Sequence, residues 1–279
     1  MKGENWMKDK ILEKVGAFPP LDDTVNKIMA VCNDPDGSVM ELAKVVESDP
    51  MTTANILKAA NSPLYGFSRE IKSIAQAVSI FGMETVKGFA FSSFLQKKPD
   101  LDLSPYGIDA KSFSELSQAQ NAFITGWYRG KKADLDVLSL TSFLMEVGKI
   151  VLSSIVIEHN KTDDFKKAVK QCKNLKDLKK LEENVFGITN EEVAALILED
   201  WNFDPAMYNS LKYLNNPDEA DENIRMYAAS LEAVKTIMTT SPFDKESSFQ
   251  EALTIVERYS LNKDKFVEVY EKIFDVAPA

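Results

Sequence analysis

Histidine occurs once in 279 residues, at His159. A site holding metal with several imidazoles is therefore excluded, and with it the histidine-rich catalytic cages. Cysteine occurs twice, as Cys32 and Cys172, far apart and each within a helix-period pattern. That reads as two free thiols in a reducing compartment, not as a disulfide framework. Cysteine–histidine catalysis would need one of them beside His159, and no local motif supports it. Glycine and proline are scarce, at 11 each, which argues for long helices and against a loop-rich chain. No glycine-rich phosphate loop and no nucleophile elbow is present. Long hydrophobic runs are missing too: the most apolar, Ile150–Ile157, is too short to span a bilayer and contains two serines. Met1–Lys14 is charged throughout, unlike a secretory leader. A cytoplasmic protein with no membrane partner is expected.

Positive charge is in deficit, with a formal net charge of -10. An acidic chain repels a phosphate backbone, so nucleic acid is not expected as a partner. The local lysine cluster (Lys166, Lys167, Lys170, Lys173, Lys176, Lys179, Lys180) is interleaved with Asp163, Asp164, Asp177, Glu182 and Glu183. It reads as a solvated helix face. Hydrophobic residues at 44% and charged residues at 27% are an ordinary globular composition, and the length suits one large domain or two small ones.

What is abundant is helix punctuation, most densely from Ser48 to Phe91. Asp49 caps a helix opened by Pro50, with Ile56, Leu57 and Ala60 on one face. The loop Asn61-Ser62-Pro63-Leu64-Tyr65-Gly66 follows. Ser73 and Gln76 form a capping box for a short helix that stops at Gly82, and Glu84-Thr85 open the next. Elsewhere, Asp22 or Asp23 starts a helix, and Ser38 with Glu41, Thr189 with Glu192 and Ser248 with Glu251 read as capping boxes. Thr162 and Asn174 read as caps, and Asp204-Pro205 as a start. Helices are expected near 6–15, 110–130, 220–240 and 263–275, and one long apolar helix over 135–158. Nothing reads as a sheet, so the fold class is all-α. Lys97–Gly107, with two prolines and a glycine, is the best candidate linker.

Phe18-Pro19-Pro20-Leu21, Asp49-Pro50, Ile56–Ser62, Tyr65-Gly66 and Ile80-Phe81-Gly82, in that order and spacing, resemble the HDOD family, the HD-related output domains of bacterial signalling proteins. The resemblance runs from Phe18 to past Pro217. It implies a multi-helix bundle of two packed lobes, the second like an HD domain. The expected organisation is an N-terminal helix at 1–17 and an HDOD domain at 18–240, with C-terminal helices at 241–279. Within the domain, lobe one spans about 18–97, a linker 98–109, and a degenerate HD-like lobe about 110–240.

HD-domain phosphohydrolases hold divalent metal with scattered histidines and an adjacent His-Asp pair. The resemblance places Met145-Glu146 where that pair would stand, Leu116 at an expected histidine, Asn190 at another, and Leu214-Asn215 at a paired-histidine position. What remains is one carboxylate and no imidazole, which cannot make such a cage. Glu146 is either a remnant ligand or an ordinary partner of Lys149 or Lys161, and Gly148 suggests close helix packing. His159 reads as a helix-end residue, and Trp127, Tyr128 and Trp201 as core aromatics or pocket walls. The loop residues Asn61, Ser62, Tyr65, Phe67 and Arg69 form either a rigid structural turn or a recognition surface.

The expected function is a non-enzymatic bacterial regulatory module, without catalytic residues, metal or cofactor, that acts through a protein partner. The alternatives are a sensor binding a small nucleotide-like ligand in the degenerate HD cavity and, third, a metal-dependent phosphohydrolase.

Overall fold

Asp22, Ser38, Asp49 and Ser73 each turn a side-chain oxygen onto an otherwise free amide, and a helix starts beyond each of them. The structure is a computed structural model describing residues 2–18, 21–67, 69–96, 101–239 and 243–274. Among the described residues there are helices and turns and no strand, so the protein is all-α. Lobe one comprises α2 (Asp23–Asn33), α3 (Val39–Glu47), α4 (Pro50–Ala60), α5 (Ile74–Phe81) and α6 (Met83–Gln96). Lobe two runs through α7 (Ala110–Trp127), α8 (Lys132–Leu144), α9 (Gly148–Glu158), α10 (Thr162–Gln171), α11 (Leu175–Phe186), α12 (Asn190–Asp200), α13 (Pro205–Lys212) and α14 (Glu222–Ile237). The flanking α1 (Lys2–Gly16), with α15 (Lys245–Arg258) and α16 (Lys263–Phe274), packs on lobe two.

Several boundaries differ from the sequence reading. The expected single helix over 135–158 is two helices, α8 and α9, separated by a turn at Met145–Val147. Gly148 opens α9 and lies close against α12. A Cβ at Gly148 would stand 2.1 Å from the Asn190 carbonyl oxygen. Lys132–Glu158 is long and apolar enough to cross a membrane by composition, but 83% of its apolar window is buried inside the protein. Thr162 is the first residue of α10 and not its cap, and α15 is opened by Asp244, not by Ser248. Thr189 and Glu192 make the full reciprocal box. At Ser73 the box is displaced by one residue, since the Gln76 side chain accepts from the Lys72 amide.

The segment expected to be a linker is packed where it is described. Residues 97–100 lie outside the description. Beyond them Leu103, Pro105 and Tyr106 are buried around a short 3-10 turn, and the Tyr106 ring meets Phe165 edge-on at 5.2 Å.

The lobes share one hydrophobic cluster reaching from Ile11 on α1 to Tyr270 on α16. At their junction α6 lies against α7 and α8. Hydrogen bonds cross it from Tyr65 to Asn121 (3.0 Å), between Thr85 and Ser139 (2.9 Å) and between Ser92 and Ser114 (2.9 Å). Gly88 sets the separation: a Cβ there would lie 2.1 Å from the Phe143 ring. Phe143 is buried and packed against Phe89, so it has little room to yield. Gly88→Ala is therefore expected to cost about 1–3 kcal/mol, read by urea denaturation as one transition moved as a whole. Two transitions, with only one displaced, would show that the lobes fold separately.

Candidate functional site

At the break between α8 and α9 the Lys149 amide reaches the Glu146 carbonyl at 3.1 Å, and one side chain from α12 adds further bonds across the turn. Asn190 Nδ2 donates to the Met145 carbonyl at 2.9 Å, and its Oδ1 accepts from the Lys149 amide at 2.8 Å. Asn190 is wholly buried, so these contacts are shielded from water.

This stitched turn carries Glu146 into the interior. Glu146 and Lys149 are each 0% exposed, with Lys149 Nζ 2.7 Å from Glu146 Oε2. Lys235 on α14 reaches the same carboxylate from the other side, at 3.0 Å from Oε1, and also pairs with Glu191 on α12. The ammonium groups meet the carboxylates as close ion pairs at angles oblique for hydrogen bonds. Neutral donors complete the shell. Gln120 on α7 donates to Glu146 at 3.1 Å and to the Met238 carbonyl at 3.0 Å, and Asn215 donates to Glu191 at 2.9 Å. Tyr106 stands over Lys149, its ring centroid 5.2 Å from Nζ.

A third carboxylate, Glu182 on α11, accepts from the Asn190 amide at 2.8 Å and from the Tyr106 hydroxyl at 2.9 Å. Burial is the largest influence on all three acids, and it raises their pKa values. At Glu146 the nearby Lys149 and Lys235 outweigh it and hold the carboxyl below its ordinary range. Glu191, beside Lys235 and hydrogen-bonded by Asn215 and Asn190, is lowered to about 2. Glu182 makes no close ion pair among the described residues, and burial with repulsion from Glu191 outweighs the lowering by Lys235, Lys149 and the Asn190 amide and raises it to about 7. Lys235 is raised by Glu146, Glu191 and Glu182 against a burial effect that alone would lower it. With Glu182 protonated the cluster is neutral, two carboxylates against two ammonium groups.

The donor set does not suit a divalent metal. It offers no imidazole, and the two carboxylates that could face a cation already hold two ammonium groups. Among the described residues no three His, Cys, Asp or Glu side chains are placed to hold a metal ion.

Of the residues singled out from sequence, the structure brings together Met145, Glu146, Asn190 and Asn215. Leu116 is half-buried on α7 and Leu214 fully buried, both packed with the hydrophobic core. Glu146 is neither a lone remnant nor an ordinary surface charge, and its partner is Lys149, not Lys161. Glu182 is corrected as well: it is buried, not part of the solvated lysine-rich face.

The loop after α4 is tied to the body. Asn61 bonds the Leu57 carbonyl and both backbone groups of Ile71, at 2.8–2.9 Å, and Ser62 caps the turn at Pro63–Tyr65. Tyr65 is buried against Phe81 and Phe89 and cannot be an exposed anchor; burial raises its hydroxyl well above its usual pKa. Phe67 and Arg69 remain exposed. His159 closes α9, its Nδ1 2.7 Å from the Ile155 carbonyl oxygen. Both cysteines are free, and burial pushes the Cys32 thiol up to about 12.

The HDOD domain family model matches residues 18–217. A virulence factor from Campylobacter jejuni subsp. jejuni is similar in structure, with a TM-score of 0.61 and 23% identity over 98% of each chain. A candidate phosphohydrolase from Shewanella amazonensis SB2B gives a TM-score of 0.67 at 20% identity, over 96% of this chain and 98% of that one. A candidate signal transduction protein from Marinobacter aquaeolei VT8 gives 0.57 at 22% identity, over 94% of this chain and 61% of that one. At such identities these likenesses concern the fold. No curated protein shows significant similarity to the chain.

Two expectations follow from the cluster. Lys235→Met leaves Glu146 and Glu191 short of a cation in the interior and is expected to lose about 3–5 kcal/mol in urea denaturation. Adding Glu191→Gln should return part of that loss. A single variant within about 1 kcal/mol of wild type, the range of a surface pair, would contradict the assignment. The second concerns pH. Unfolded, Glu182 ionises near its ordinary value of 4.5; folded, it holds its proton to about 7. The folded state therefore binds the extra proton between those values, and stability falls as pH rises through that window, by on the order of 3 kcal/mol. Glutamine in place of Glu182 carries no charge at any pH, so the melting temperature of Glu182→Gln relative to wild type should rise between pH 4.5 and pH 8. Glu232, also raised to about 7 by burial, titrates in both proteins and cancels in the comparison. An equal difference at both pH values would refute the reading.

Proposed function

The chain belongs to the HDOD domain family, and we propose that it is a cytoplasmic, non-enzymatic regulatory module of bacterial signalling that acts by binding another protein. The observation that carries this is the pair of ammonium groups, Lys149 and Lys235, seated on the carboxylates where the HD-like lobe would need a metal. A hydrolytic metal acts by polarising a phosphoryl oxygen or by generating hydroxide. Buried lysines do neither, and their charge opposes a second cation in the same place.

A small nucleotide-like ligand in this part of the lobe is disfavoured by the same groups. Met145, Glu146, Lys149 and Asn190 are all 0% exposed, so such a ligand would have to displace a neutralised, packed cluster. Interaction with a protein needs only a surface on a rigid frame, which the shared core of the two lobes provides. The two free cysteines accord with a reducing compartment.

The reading is tested by assaying phosphomonoesters, phosphodiesters and cyclic dinucleotides with Mg²⁺, Mn²⁺ or Fe²⁺ supplied. No turnover above background is expected. Turnover that Glu146→Gln abolishes would overturn it.

A further inference from the structure

Two large apolar side chains that stand exposed, Phe67 at 44% and Ile80 at 41%, lie on the lips of one groove of about 320 Å³. Its wall and floor are Phe81 and Tyr65 from lobe one, and Gly126 on α7 with Val269 on α16. Phe67 meets Phe81 edge-on at 5.2 Å, so the exposed ring rests on a half-buried neighbour. Gly126 keeps the floor deep, because a Cβ there would stand 3.2 Å from both Val269 methyl carbons.

The charge around this apolar slot is opposite to that of the molecule. The chain as a whole is at -10, yet the groove is bordered by Arg129, Lys265 and Lys272 against one acid, Glu268. Glu268 is occupied by Lys265 at 2.5 Å. Arg129 and Lys272 make no close ion pair among the described residues, although both lie near enough to Glu268 to add, after Lys265, to the lowering of its carboxyl. Lys272 is held at the mouth, over the loop: a Cβ on Gly66 would be 2.8 Å from its Nζ.

We propose that this groove, between the Gly66–Phe67 loop, Ile80 and α16, is the docking site for a segment of a partner protein that carries an apolar side chain flanked by carboxylates. The apolar residue enters between Phe67 and Ile80, and the carboxylates meet Arg129 and Lys272. A basic segment is excluded by these cations, and an acidic segment without an apolar residue leaves Phe67 and Ile80 in water. The inference deepens the protein-binding function proposed above and rests on it. It keeps Phe67 of the loop as a recognition residue and moves the rest of the site to α16 and the end of α7.

The test uses three twelve-residue peptides against the full chain, followed by NMR of backbone amides at low salt. One alternates Glu and Asp around a central Leu-Phe, one replaces Leu-Phe by Ser-Ser, and one replaces the acids by Lys. The first should shift amides at residues 66–67, 80–81, 126–130 and 269–273. The other two should bind at least about tenfold more weakly. Arg129→Glu with Lys272→Glu should weaken the first peptide by at least about tenfold and leave the melting temperature unchanged, since both residues are exposed. Absence of shifts at the groove, or binding indifferent to the charge reversal, overturns the site. Hydrolytic turnover in the assays above is a separate outcome that defeats the non-enzymatic reading whatever the peptides do.

Discussion

Glu146, on the turn between α8 and α9, and Glu191, on α12, are carried into the interior, and an ionised carboxylate there is tolerated only beside a cation. Two lysines meet that requirement, Lys149 at the start of α9 and Lys235 from α14. Much of lobe two is arranged to let them. The break between α8 and α9 aims Glu146 inward, and Asn190 adds further bonds across the turn. Gly148 lets α12 approach closely enough for Asn190 to reach. The turn at Ser104–Tyr106 adds an aromatic face and a hydroxyl. A polar network of this kind fixes its helices in one arrangement because any slippage would strand a charge.

The same rigidity reaches the surface. α6 lies against α7 and α8, with Gly88 permitting the contact, so lobe one is held on the frame that the ion cluster organises. The groove beside Phe67 and Ile80 is built from lobe one, α7 and α16 together. Its geometry depends on the lobes staying in register. A binding surface on a preorganised frame loses less entropy when a partner docks than one on a loose loop.

Much of this was legible in the sequence. The all-α class and most helix starts follow from capping residues and apolar periodicity, which act locally. The place of the site was legible at Met145-Glu146 and Asn190, through the resemblance to HD-like lobes. Its charge partners were not. Lys235 lies 89 residues from Glu146, and only the tertiary fold brings them together. A signal did exist, since Leu178, Glu182 and Phe186 fall at helical spacing on one buried face. A carboxylate inside an apolar stripe marks a buried charge more sharply than the surrounding lysine-rich composition suggests. The helix break was hidden for another reason. Ser139 to Ile157 is mostly apolar on both sides of it, and the close approach of α12 at the break belongs to the tertiary fold. Which of the two readings of Tyr65 holds, structural tie or recognition residue, was not legible, because its position in a loop says nothing about the Asn121 that receives its hydroxyl.

The central claim is that Lys235 fills the place a metal would take between Glu146 and Glu191. A crystal grown with excess Mn²⁺, with diffraction recorded for its anomalous signal, tests it directly. The account predicts lysine density between the two carboxylates and no manganese peak within coordination distance of either. A manganese peak there, with Lys235 turned away, would contradict it.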